Sequence, residues 1–197
     1  MEIVRYTELK NTKRHDLREV IPLAKPYTLL IEPSSSCNFR CRMCFQSAAQ
    51  EKFKDKRHTM DMGLFRRVIA QAQEWAGERF KVLKLCIYGE PFTNPHFTEM
   101  LRLAHEADIA DRIETTSNAS LLTEEICRGI VRGGLDYLRV SIYSAIPQKH
   151  LEITDSHVPM QRIHDNLAML QRIKREMGSE RPFLACKMLN TFDEAQN

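Results

Sequence analysis

From about residue 27 onward the sequence alternates short apolar runs with longer segments of helical periodicity, and this alternation limits the fold more than any other feature. Candidate strands are "YTLLIE" (27–32), "VLKLCIY" (82–88), "RIETT" (112–116), "YLRVSI" (137–142) and "FLACKML" (183–189). All are short and largely apolar, as strands covered on both faces tend to be. Between the first two, Leu64, Phe65, Val68, Ile69, Ala72 and Trp75 recur at helical spacing, with Gly77 as a stop. A second helix takes Asn94 as N-cap and Pro95 in its first turn, and buries Phe97, Leu101 and Ala104. A third follows Thr123 and ends at Gly133 and Gly134; a fourth places Ile163, Leu167, Leu170 and Ile173 on one face before Gly178. The pattern predicts an α/β domain with a parallel sheet, wound either as a barrel or as an open doubly wound sheet.

The chain has 197 residues, enough for one compact domain, so residues 27–197 read as a single core and residues 1–26 as an irregular N-terminal extension. Its net charge of +3, from 29 basic and 26 acidic residues, is too small to argue for a nucleic-acid surface. The N-terminus lacks the apolar region of a signal peptide and no run is long enough to span a bilayer, which predicts a cytoplasmic protein with no membrane partner. Only "NTFDEAQN" follows the fifth candidate strand, so a core truncated before a sixth strand is expected.

The second constraint is chemical. In "SSSCNFRCRMCFQ" three of the six cysteines, Cys37, Cys41 and Cys44, fall within eight positions. A reducing compartment turns such a cluster toward metal binding or catalysis rather than disulfides. One helical face would be the bland explanation of the spacing, but Pro33 and the serine run favour a loop. Arg40 and Arg42 flank Cys41, and cations there are expected to favour the thiolate. A closed zinc site wants four protein ligands, and no second cysteine or histidine pair completes one. Three thiolates on a four-iron cluster leave one iron open to a ligand. Cys86, Cys127 and Cys186 stand singly in apolar contexts and read as buried structural thiols.

"CNFRCRMC" resembles the CxxxCxxC signature of radical S-adenosylmethionine (radical SAM) enzymes, with the hydrophobic Met43 just before the third cysteine. The resemblance spans residues 27 to 189 and implies a partial (β/α) barrel of about five units. It also implies that Cys37, Cys41 and Cys44 hold a [4Fe-4S] cluster whose open iron takes the amino and carboxylate groups of SAM. The expected reaction is reductive cleavage of SAM to a 5′-deoxyadenosyl radical, which abstracts hydrogen from an unidentified small-molecule or peptide substrate. The electron donor would be a protein such as flavodoxin or ferredoxin. "SIYSAIPQKHLEIT" and "KMLNTFDE" look most like members carrying a C-terminal SPASM or twitch extension.

Further cofactor-binding residues follow from the same resemblance, and each lies near the C-terminal end of a candidate strand, where the loops of such a barrel converge. Gly89, Glu90 and Pro91 in "YGEP" resemble the family's GGEP motif, which contacts the methionine amino group, with Tyr88 in place of the first glycine. From the residues themselves, Gly89 permits a close approach and Pro91 biases Glu90 toward extended backbone. Ser117 and Asn118 in "TSNA" match the family's third-strand segment. Ser141 in "RVSIYS" matches a serine that often hydrogen-bonds the SAM ribose. In several relatives a basic residue about a dozen positions later binds the SAM carboxylate; here Ile153 and Thr154 occupy that stretch, with Lys149, His150 and Lys187 as substitutes. The readings from other classes are a non-catalytic zinc or iron-sulfur binding module and an inactive fragment.

Overall fold

The computed structural model describes residues 16–188 apart from 24, 49–51, 53–57 and 76–78. Gly77, Leu189, the segment 190–197 and most of the expected N-terminal extension therefore lie outside the described residues. Five strands form one parallel sheet, β1 (Thr28–Leu30), β2 (Val82–Lys84), β3 (Ile113–Ser117), β4 (Tyr137–Ser141) and β5 (Phe183–Lys187), in that spatial order. A doubly wound sheet reverses its strand order at a switch point. Here every crossover advances one strand in the same direction, and β1 and β5 stay unpaired with each other, so the sheet is an open part of a (β/α) barrel.

Helices cover one face. The described ones are α1 (Leu17–Val20), α2 (Phe45–Ala48), α3 (Met62–Glu74), α4 (Phe97–Glu106), α5 (Glu124–Arg132), α6 (Pro147–Thr154) and α7 (Met160–Glu176). The strands turn Leu83, Ile113, Leu138 and Val140 toward Phe65, Phe97, Leu101, Ile130, Ile163 and Leu170, and all ten side chains are buried in one apolar core. At roughly 25 cal/mol per Å² of apolar surface, each such side chain contributes about 1.5–3 kcal/mol, which supports strands of only three to five residues.

The capping chemistry explains where helices start. Asp61 accepts the Leu64 N–H at 2.9 Å to open α3, and Thr123 accepts the Ile126 N–H at 3.2 Å to open α5. Gly134, at φ 75°, turns the chain out of α5, where a Cβ would collide with the His105 ring. Two details differ from the sequence reading. Asn94 stands two residues before the N-cap His96 of α4 rather than at the cap: its Oδ1 accepts the His96 N–H at 2.9 Å, while its amide donates to the carbonyls of Pro33 at 2.8 Å and Met60 at 3.0 Å. Asn94 thereby ties the loop after β2 to the loop after β1. Three helices are not expected from the sequence: the single turns α1, inside the segment expected to be irregular, and α2, and the longer α6, whose Pro147 sits at its first turn, where a missing N–H is harmless.

The strands are also shorter than their apolar runs. β1 and β2 leave regular pairing at Leu30 and Lys84, although the Ile31 N–H still reaches the Lys84 carbonyl at 2.9 Å and the Leu85 N–H the Glu114 carbonyl at 2.9 Å. Beyond these points the chain bends into the loops that carry the cysteines and "YGEP". No helix among the described residues is long and apolar enough to cross a membrane.

Candidate cofactor site

Cys37, Cys41 and Cys44 lie in the loop after β1, all three half-buried and unbridged. The loop is irregular because its backbone groups find partners outside it. The Arg40 N–H donates to the Thr154 carbonyl at 3.0 Å and the Arg42 N–H to the Ile153 carbonyl at 2.9 Å, so the last turn of α6 braces the residues on both sides of Cys41. Phe39 anchors the segment in the core, while the Cys44 N–H turns back to the Cys41 carbonyl at 2.9 Å and α2 starts at once.

Burial and the neighbouring thiols of Cys37 and Cys44 push the Cys41 thiol up to about 12. The flanking arginines do not offset this as the sequence suggested, because both side chains are exposed. Three thiols crowded together, with Cys41 resisting ionisation alone, are a donor set suited to a positive centre, since a bound metal stabilises the thiolate. Among the described residues no three ligating side chains converge on a point suited to a single ion. A four-iron cluster takes each thiolate on a different iron, so its ligands need not meet at one point, and the trio fits such a group.

At the end of β2 the opposite kind of site appears. Glu90 is buried, and its carboxylate accepts the Ser117 hydroxyl at 2.7 Å, the Asn118 N–H at 2.8 Å and the Phe92 N–H at 3.3 Å. Desolvation nonetheless outweighs these donors and lifts its pKa to about 7. Pro91 is buried and starts a short 3-10 turn, Pro91–Thr93, which aims the Phe92 N–H at Glu90. A Cβ on Gly89 would sit 2.0 Å from the Ser34 carbonyl oxygen and 2.7 Å from that of Ser36, so the close approach Gly89 permits is to the chain itself. The Glu90 N–H then reaches the Ser36 carbonyl at 2.8 Å, one residue from Cys37.

Ser117 and Asn118 follow at the end of β3. The Asn118 amide donates to the Asn38 side chain at 2.9 Å, and Asn38 donates to the Ser120 hydroxyl at 2.8 Å, which links this turn to the residue after Cys37. Between them Ala119 takes a left-handed φ of 58°, rarely adopted by a residue with a Cβ. Asn166 of α7 pins it by donating to the Ala119 carbonyl at 2.8 Å and the Ser120 carbonyl at 3.2 Å. Ser141 is buried at the end of β4 and engages the Tyr143 phenol. Burial raises the Tyr143 pKa, and the Cys41, Cys44 and Cys37 thiols add to the rise. Met43 projects into solvent next to Cys44, 49% exposed.

Four contributors were not singled out from sequence. Glu32, just before Pro33, accepts the N–H groups of Ile87, Tyr88 and Gly89 at 3.3, 2.6 and 3.3 Å and so shapes the "YGEP" turn. Asn38 hides inside the cysteine signature, and Asn166 sits on a helix far along the chain. Tyr143 accompanies Ser141 in "SIYS". Of these only Glu32 carried a signal, a carboxylate at a strand end before a proline. Cys86 and Cys127 are buried as expected, whereas Cys186 is exposed because it lies on the uncovered edge strand β5. His150 is fully buried, and Lys187 is exposed at the end of β5.

Comparison with known proteins follows the same outline. A curated relative, the tungsten-containing aldehyde ferredoxin oxidoreductase cofactor-modifying protein of Pyrococcus furiosus, is 28% identical over 166 residues, 83% of this chain and 43% of the relative. The dTDP-4-amino-4,6-dideoxy-D-glucose ammonia-lyase of Streptomyces venezuelae is 26% identical over 155 residues, 78% of this chain and 31% of that enzyme. The chain thus spans less than half the length of either. Among solved structures, anSMEcpe with bound AdoMet superposes with a TM-score of 0.63 at 15% identity, covering 82% of this chain and 42% of that one. SuiB of Streptococcus suis bound to the precursor peptide SuiA gives 0.62 at 18% identity, covering 87% and 34%. These structures share the fold. The family model for the radical SAM superfamily matches residues 31–179, from the end of β1 to the turn after α7, and the chain belongs to that superfamily.

Proposed function

We propose that this chain is the cofactor-binding core of a radical SAM enzyme, with residues 27–197 as its catalytic unit and 1–26 as an extension. The observation that carries the reading is the half-buried trio Cys37, Cys41 and Cys44, braced on α6, with a buried carboxylate, Glu90, anchored one residue away at Ser36. The three thiolates would hold a [4Fe-4S] cluster, and SAM would bind beside it. When bound, the cluster supplies an electron for reductive cleavage of SAM, giving the 5′-deoxyadenosyl radical that removes hydrogen from a substrate.

The chain's own residues would orient and shelter that chemistry. Glu90 has three donors on a carboxylate that offers about four acceptor sites, which leaves room and charge for the SAM ammonium. Gly89 and Pro91 fix the turn that presents it. Ser117 and Asn118 hold the carboxylate from the other side and connect it to Asn38 in the cysteine loop. Ser141 would face the ribose, with Tyr143 steadying it near the thiols, and Met43 offers an exposed thioether for apolar contact with the cofactor. A flavodoxin or ferredoxin would deliver the electron, and the substrate would be a small molecule or peptide.

The test is anaerobic reconstitution with iron and sulfide, followed by electron paramagnetic resonance with and without SAM. A reduced [4Fe-4S] signal that shifts on adding SAM is expected, with loss of the cluster in each of C37A, C41A and C44A. Zinc without sulfide on elemental analysis, or a cluster signal indifferent to SAM, refutes the proposal.

A further inference from the structure

The helix-free face of the sheet carries more positive charge than its own side chains can neutralise. Alternation along the strands separates the faces: Leu83, Ile113 and Leu138 go under the helices, while Lys84, Glu114, Tyr137 and Arg139 stay partly exposed on the other side. Register then sets out this second face. Leu30, Lys84, Glu114, Tyr137 and Phe183 form one row across all five strands, and Arg139 pairs with Ala185 and Ser141 with Lys187 in rows nearer the C-terminal ends. Lys84, Arg139 and Lys187 therefore climb diagonally toward the end of the sheet that bears Ser141 and the cysteine loop. At about 4.8 Å between strands and 3.3 Å per residue along them, neighbouring backbone positions in this series are roughly 8–12 Å apart, within converging reach of long side chains.

The carboxylates of this face are already engaged. Glu114 is held by Arg112 at 3.3 Å, and Glu32 accepts the three N–H groups of residues 87–89. Among the described residues Lys84, Arg139 and Lys187 have no anionic partner. Arg139 lies instead over the Tyr137 ring, 5.6 Å from its centroid, and Tyr137 stacks on Phe183 at 5.6 Å with the rings inclined by 23°. A guanidinium fixed over an aromatic ring, between two lysines, presents its donor fork to a planar or tetrahedral oxyanion.

We propose that this face binds a multiply charged anionic substrate, carrying phosphate or carboxylate groups, through Lys84, Arg139 and Lys187. The inference rests on the radical SAM reading only in calling the ligand a substrate; the anion site itself needs no cluster. The SAM carboxylate is the other source of the same chemistry, and a single charge there would leave Lys84, deepest in the sheet, without a role.

Inorganic pyrophosphate is the probe, titrated calorimetrically at low ionic strength into the full chain without cluster. Saturable binding is expected, weakened at least tenfold in K84M/R139M and retained in the charge-conserving K84R/R139K, with circular dichroism unchanged. SAM affinity, measured separately on reconstituted protein, should stay within twofold in K84M/R139M. Absence of saturable binding to the wild type, or equal binding by K84M/R139M, overturns the proposal. Parallel loss of SAM affinity in K84M/R139M overturns it too, by assigning the cations to the SAM carboxylate. If K84M/R139M does not fold, K84Q and R139Q singly should each weaken pyrophosphate binding about threefold, and no change in either refutes the site. Failure of the cluster to form would sink the radical SAM reading while leaving the pyrophosphate result standing.

Discussion

The cysteine loop and the Glu90 turn lie side by side and are held in opposite ways. The loop is fastened by its backbone, through Arg40 and Arg42 to the last carbonyls of α6, and its functional side chains are half-buried, with the Cys41 thiol pushed up by burial and by its two neighbours. The Glu90 turn is fastened by side chains: Glu32, Ser117 and Asn94 each fix a backbone or carboxylate position, and Glu90 already holds three donors before any ligand arrives. The difference shows two routes to a prepared site. One crowds ligating thiols together so that a bound positive centre supplies their stabilisation, and the other uses internal hydrogen bonds to fix a buried carboxylate in place.

Gly89→Ala should break the comparison most, because a Cβ would drive into the Ser34 and Ser36 carbonyls that join the two regions. A loss of about 3 kcal/mol in chemical denaturation is expected, together with weakened cluster assembly. Wild-type stability would show that the loop segment 34–36 shifts freely.

Glu90 sharpens the comparison through pH. Its folded pKa is raised from 4.5 to about 7, so the unfolded chain releases this proton first. The associated stability is fully present below about pH 4.5 and is lost as pH rises through about 7, an effect of about 3 kcal/mol for the metal-free protein. Glu90→Gln should flatten that slope, and an unaltered profile would show that another group carries it. A cation bound beside Glu90 favours the ionised form, so SAM affinity should increase from pH 6 to pH 8 in the wild type and lose this dependence in E90Q.

The smallest effect is expected at the seam. Asn38→Ala removes the bonds to Ser120 and Asn118, costing about 1–2 kcal/mol. It should loosen the cysteine loop, seen as faster loss of the reconstituted cluster to a chelator, while the Glu90 pH profile remains. Coupled loss of both would mean that the two regions are one cooperative unit.

Much of this was legible in the sequence because it is local. Apolar runs of strand length, helical periodicity, Thr123 as a helix start, and the spacing of Cys37, Cys41 and Cys44 are set by neighbours along the chain, where sterics and burial act on a few residues at a time. The strand order, the bracing of Arg40 and Arg42 by α6 more than a hundred residues away, and the link from Asn38 to Asn118 depend on segments that meet only after the sheet forms. Asn94 shows the boundary: local rules made it a helix cap, and its Oδ1 does accept the His96 N–H at the start of α4, but only the tertiary structure could bring the Pro33 and Met60 carbonyls to its amide and join two loops. Sequence alone determined which residue types the chain brings to its chemistry; only folding decided which of them are buried, which are paired, and which cations on the helix-free face are left for a ligand.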